Sequence, residues 1–241
     1  DPAALLYADL QEALDDSLAG DIVEVRSGIY TGNFIVYKDL TIRHASIDVS
    51  RLSPELGVDV RAILQASART VGEQRRLDQY AGTTLSVQGY GFTDASFEPS
   101  GLVTASLSGL TIRHGAGKQG GGVHNRGNLT IDSCTIESNA AINELDESGV
   151  VVAVKGEGGG IYNTGQLTLI RSTVSGNRAE YYGGALYNDG TAARATAAIT
   201  ATTLANNLAS PLPDQQVISF LDAGLSESSL TVTSGDEIRF E

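Results

Sequence analysis

The residues best suited to catalysis are Arg113, His114 and Lys118, with the carboxylate of Asp132 one repeat further along the chain. A basic group facing a carboxylate is what proton abstraction requires, so Arg113, His114 and Asp132 are the catalytic candidates, suited to elimination at an acidic sugar. A second set is aromatic: His124, Tyr162 and Tyr187, joined by Tyr181 and Tyr182, offers ring faces on which a sugar would stack. Arg43-His44 repeats the Arg113-His114 dipeptide after the same Leu-Thr-Ile, which reads as a habit of chain corners and weakens the catalytic reading. No phosphate loop, zinc-ligand spacing or nucleophile elbow occurs.

A repeat must position these groups. Gly158-Gly159-Gly160-Ile161-Tyr162-Asn163-Thr164-Gly165, followed by Leu167-Thr168-Leu169 and Thr173-Val174-Ser175-Gly176-Asn177, has an earlier copy from Gly120 to Asn139 and a looser later one from Gly183 to Asn207. Asn125 and Asn163 lie 38 residues apart, Asn163 and Asn188 only 25. Unequal spacing implies one coil shape with loops of different length let into it. Alternation of apolar and polar residues gives short, half-buried strands, and the glycines turn the chain between them. Such strands are stable only when each coil stacks on the next. In this register Val123, Ile161 and Leu186 point inward, and His124, Tyr162 and Tyr187 form an outward column. Asn125, Asn163 and Asn188 make one ladder of side-chain amides, with Asn139, Asn177 and Asn207 a second at the opposite corner. Cys134 aligns with Ser172 and Thr202, so it reads as a buried small residue.

This pattern, Gly-Gly-Gly-Ile-Tyr-Asn-x-Gly-x-Leu-Thr-Leu followed by Ser-Thr-Val-Ser-Gly-Asn, resembles the repeats of right-handed parallel β-helix proteins, in the form found in bacterial surface and autotransporter-type (polymorphic outer-membrane protein-like) chains. The resemblance covers residues 107–207. It implies an all-β, right-handed parallel β-helix with an N-terminal capping α-helix. It says less about activity, because the same scaffold carries lyases, epimerases, adhesins and phage fibres. Enzymes on it stack carboxylates on successive coils, to hold Ca²⁺ or to act as an acid/base pair. Here Asp132 aligns with Ile170 and Thr200, and Glu137 with Ser175 and Ala205, so no acid stack forms. Outward threonines at 111, 130 and 168, and at 135, 173 and 203, do not make the regular two-column array that ice binding needs.

A formal charge of −13 over 241 residues argues against nucleic acid or an anionic membrane as partner. The single cysteine excludes an internal disulfide. The absence of methionine implies that Asp1 is not the translated start, and no apolar run is long enough to cross a bilayer. About 25 residues per coil would allow roughly eight or nine coils.

Leu5, Leu6, Leu10, Leu14 and Leu18 form one stripe, predicting a helix over 3–19 that caps the first coil within a segment 1–20. The coils occupy 21–210. The most basic stretch, with Arg61, Arg69, Arg75 and Arg76, reads as loop charges pairing with Asp59, Glu73 and Asp78, the alternative being a site for a sugar acid. Residues 143–157 are the main insertion, whose apolar Val150 to Val154 should form an added strand against its own solenoid or against a neighbour. Residues 211–241 read as terminal strands without a cap. Val217, Ile218, Phe220, Leu230, Val232, Ile238 and Phe240 are therefore expected to join another subunit. The residues point to a non-catalytic extracellular or cell-surface β-helix with a structural or adhesive role, able to form fibres. Its expected partners are copies of itself, end to end or by strand exchange, or surface glycans and proteins. The alternative is a polysaccharide lyase or epimerase acting on an acidic glycan. No cofactor is called for, and Ca²⁺ enters only with that alternative.

Overall fold

The computed structural model describes residues 6–45, 61–66, 82–88, 102–145, 151–153, 156–190, 195–209 and 229–232. They form a short helix and stacked coils of strand. Helix α1 (Leu10–Asp16) starts at Asp9, whose carboxylate accepts from the Glu12 amide at 3.0 Å. It is shorter than the stripe predicts. Leu10, Ala13 and Leu14 are buried, whereas Leu6 and Leu18 are exposed, and Leu5 lies outside the described residues.

The first coil contains β1 (Ile22–Val25), β2 (Gly28–Thr31) and β3 (Phe34–Val36), and the second β4 (Leu40–His44), β5 (Ala62–Gln65) and β6 (Leu85–Val87). From the third coil a short extra strand enters: β7 (Thr104–Ser108), β8 (Leu110–Arg113), β9 (Ala116–Gly117) and β10 (Val123–Asn125). The fourth is β11 (Asn128–Asp132), β12 (Thr135–Glu137) and β13 (Ala140–Ala141), then a hairpin of β14 (Glu144–Leu145) and β15 (Val151–Ala153), then β16 (Ile161–Asn163). The fifth is β17 (Gln166–Ile170), β18 (Thr173–Ser175), β19 (Arg178–Ala179) and β20 (Leu186–Asn188). The sixth holds β21 (Thr196–Thr200), β22 (Thr203–Ala205) and β23 (Leu208–Ala209), and β24 (Ser229–Val232) follows.

Equivalent strands of successive coils pair in parallel to make four sheets, so the fold is an all-β parallel β-helix. There are six coils among the described residues, fewer than length alone suggests, because long stretches of chain lie between β4 and β7.

The inward column Val23, Ile42, Leu107, Ile131, Leu169, Ile199 runs through all six coils and is buried throughout. Each such side chain contributes about 1.5–3 kcal/mol on leaving water. The corners are equally regular. Gly109, Ser133, Arg171 and Ala201 occupy one column, and His114, Ser138, Gly176 and Asn206 another, all with φ between 45° and 67°. Every coil from the third onward thus turns through a single left-handed residue at both corners.

The two ends differ. At the first coil Gln11 acts as a substitute strand: its Oε1 accepts from the Ile35 amide at 2.8 Å and its Nε2 donates to the Ile35 carbonyl at 3.2 Å. At the sixth coil β24 pairs antiparallel with β21, placing Leu230 opposite Ile199 and Val232 opposite Ala197. Strand β24 thus pairs within its own chain. Val217, Ile218, Phe220, Ile238 and Phe240 lie outside the described residues.

Candidate functional site

The two asparagine ladders come from turns that bury backbone groups. Asn125 Nδ2 donates to Asn163 Oδ1 at 2.7 Å, and Asn163 Nδ2 to Asn188 Oδ1 at 2.6 Å. Each of the first two also spans its own turn, to the backbone of Gly127 and of Gly165 respectively. In the second ladder the Asn139 and Asn177 amides donate to the Oδ1 of Asn177 and Asn207 at 3.0 and 3.1 Å. Cys134, Ser172 and Thr202 form a third column. The amide of each of the first two donates to the side chain of the next, and each side chain donates to the carbonyl two residues back.

The catalytic candidates do not converge. Gly109 splits this part of the third coil into two strands of different sheets, so Asp132, which pairs with Ser108 before the corner, faces a different side from Arg113 after it. Arg113 donates to Gln65 Oε1 at 3.1 Å and lies beside Glu137, which also has Arg61 at 3.9 Å. Asp132 is paired with Arg171, Lys118 with Glu144 at 2.9 Å, and His114 occupies an exposed corner. The same corner corrects the threonine columns: Thr111 stands with Thr135, Thr173 and Thr203 and is buried, while Thr130 pairs with Thr168 and Ser106.

The aromatic set is assembled, but as a partly covered bank instead of an open strip. The outward column of its sheet runs Ile35, Ser86, His124, Tyr162, Tyr187. His124 and Tyr162 are only 1% and 3% exposed, which corrects their role as open stacking surfaces, while Tyr181, Tyr182 and Tyr187 are half-buried. The rings of Tyr162 and Tyr187 lie 5.7 Å apart at 21°, and those of Tyr187 and Tyr182 lie 5.9 Å apart at 12°. Tyr181 packs on Tyr182 at 3.8 Å, and His124 meets Tyr162 edge-on at 5.0 Å.

Polar residues close the inner part of this bank. Tyr162 Oη donates to Asp189 Oδ2 at 2.6 Å and accepts from Gln119 Nε2 at 2.9 Å, and Gln119 reaches Glu157 at 3.5 Å. Arg126 Nε donates to His124 Nε2 at 3.0 Å. Burial lowers the His124 pKa to about 4, against a smaller opposing pull from the Gln119 carbonyl, so the imidazole is neutral. Burial also lowers Arg126 to about 10. The Tyr162 phenol is raised by burial and then by its bond to Asp189, and Tyr187 is pushed up to about 12 by burial, Glu157 and Asp189. Both phenols therefore stay protonated.

Gln119, Glu157, Arg126 and Asp189 were not singled out from sequence, yet the repeat marks them. Gln119, Glu157 and Tyr182 each precede a glycine run in successive coils, and Arg126 and Asp189 each follow a ladder asparagine. Among the described residues no group of three or more His, Cys, Asp or Glu side chains could hold a metal ion.

The geometry defines a stack of repeat coils with a tyrosine and carboxylate bank on one flank. A family model described as the Chlamydia polymorphic membrane protein repeat matches residues 171–189, from the corner before β18 to the turn after β20. No curated protein and no solved structure matches the chain. The short match and the parallel sheets together fit a surface β-helix repeat protein. No described helix is long and apolar enough to cross a membrane.

Proposed function

We propose that the chain is a rod-like segment of a cell-surface protein, non-catalytic, with a structural and adhesive role. The observation that carries this reading is that the coil matching the polymorphic membrane protein repeat is one of several stacked in register, its ladder residues Asn177 and Asn188 bonded to Asn139, Asn163 and Asn207 of the neighbouring coils. The inner polar groups are committed to holding coils together, which leaves flanks and loops for contact. Surface glycans or proteins, and further copies of the chain, are the proposed partners.

The test is protease shaving of intact source cells, with the chain followed by antibody, alongside adhesion of the purified chain to host or neighbouring cells. Removal from intact cells and saturable adhesion support the reading. Protection until the cells are broken overturns the surface placement, and surface exposure without adhesion reduces the role to a structural one.

A further inference from the structure

The outer face of the sheet containing β7, β11 and β17 has chemistry that stacking does not use. Leu107, Ile131 and Leu169 point into the core, so the residues alternating with them turn outward. Ser106, Thr130 and Thr168 stand in one column and Thr104, Asn128 and Gln166 in the next, paired without a shift of register. Like groups therefore recur along the stack at about 4.8 Å, with roughly 6.7 Å between the columns. All six residues are exposed or half-buried. Asn128 Nδ2 donates to Thr104 Oγ1 at 3.5 Å, whereas the side chains of Ser106, Thr130, Thr168 and Gln166 make no hydrogen bond among the described residues. On a chain of net charge −13 these two columns carry no charge. The carboxylates beside them are engaged: Asp39 accepts from the Thr104 amide at 2.7 Å, and Asp132 is paired with Arg171. The face thus presents rows of groups that both donate and accept, with no charge to hold an ion and no ring to stack on a single sugar.

We propose that this face binds a neutral, linear polysaccharide lying along the stack. A hydroxyl bonded to a sugar only replaces one bonded to water, so each contact gains little. A polymer whose sugars repeat at close to the coil spacing makes the same contact on coil after coil, and after the first contact the others form within one complex. Neutral hydroxyls and amides match neutral sugars, while the acidic surface around them repels uronic acids. The inference deepens the adhesive reading and rests on it for where the glycan is met; binding itself is a property of the purified chain.

The experiment titrates the purified full chain calorimetrically with cellohexaose, cellobiose and hexagalacturonate. The expected result is saturable binding of cellohexaose, about ten-fold or more tighter than cellobiose, tighter than hexagalacturonate and unchanged by salt. Thr130→Val combined with Thr168→Val removes two hydroxyls but keeps side-chain shape and strand preference, and should weaken cellohexaose binding about ten-fold. Thr173→Val, on the adjoining sheet, should leave binding unchanged. Circular dichroism should show the parent's unfolding midpoint for both variants; should the double variant unfold, Gln166→Ala, at an exposed position, takes its place. No saturable binding of cellohexaose, equal or tighter binding of hexagalacturonate, or indifference to the face variants overturns the proposal. Shaping of ice crystals without glycan binding would assign the face to ordered water and overturn it too. Each of these leaves the protease-shaving result untouched, and protection in that assay leaves binding by the purified chain untouched, so the two readings fail separately.

Discussion

Asn163 receives a hydrogen bond from Asn125 at 2.7 Å through the same Oδ1 that caps the Gly165 amide of its own turn. One side chain thus closes a turn and joins three coils. Asn163→Ala would leave buried donors and acceptors on both neighbours, at a cost of about 3 kcal/mol. Urea unfolding of parent and variant measures this; a difference below about 1 kcal/mol would mean that the ladder is dispensable.

The corner columns give a prediction of opposite sign. Ala201 sits at φ 48°, where its Cβ is strained, so Ala201→Gly should stabilise by up to about 1 kcal/mol. Gly176 occupies φ 62° with its nearest neighbours at 4.0 Å, so Gly176→Ala pays only for backbone strain, about 1 kcal/mol. At Gly159 an added Cβ would lie 2.4 Å from the Arg178 carbonyl oxygen and 2.6 Å from that of Gly184, so Gly159→Ala should be the most damaging of the three. Thermal melts of the set should rank them in that order.

Acid should loosen the fold through His124. Its folded pKa of about 4 is below the unfolded value of 6.5, so the unfolded chain takes up the proton first. The associated stability is complete above pH 6.5 and falls as pH drops toward 4, by about 3 kcal/mol in all. Protonation would also set a cation against Arg126. His124→Asn should flatten this part of the profile, and superimposable stability profiles for parent and variant between pH 6.5 and 4 would contradict it.

Cys134 should behave as a structural hydroxyl mimic. Its thiol is buried and pushed up to about 11 by that burial, so labelling by a disulfide reagent should be slow until urea opens the chain. Ser172 fills the equivalent place one coil on, with a shorter bond of 2.7 Å to the carbonyl two residues back, against 3.3 Å for Cys134. Cys134→Ser should therefore lie within about 1 kcal/mol of the parent. Rapid labelling of the folded chain would count against this placement.

Parts of this architecture can be read directly from residues. Asn-x-Gly steps at Asn125 and Asn163 announce the ladder because only a side-chain amide can satisfy such a turn from within. Alternation at Leu167 and Leu169 fixes which residues enter the core. Alternation cannot show what lies over the outer face, and so His124 and Tyr162 look exposed in sequence until Gln119, Arg126 and Asp189 are seen to reach across them. Nor does it locate corners: Gly109 turns the chain between Ser108 and Leu110, which separates Thr111 from Thr130 and Arg113 from Asp132. Helix α1 begins late because Asp9 caps it there, a local bond that an apolar stripe cannot reveal.

The hairpin β14–β15 leaves the coil after β13, and the chain rejoins at β16, with both flanking strands still paired to the coils before and after. Its base is fastened independently: Glu144 to Lys118, the Asn143 amide to Glu180, and the Gly156 amide to Asn143. Tension along the stack therefore passes through the ladder strands and bypasses the hairpin. Lengthening its tip would cost only the slow logarithmic entropy of a longer closed loop. The coils on either side of the hairpin are thus held to one another without it.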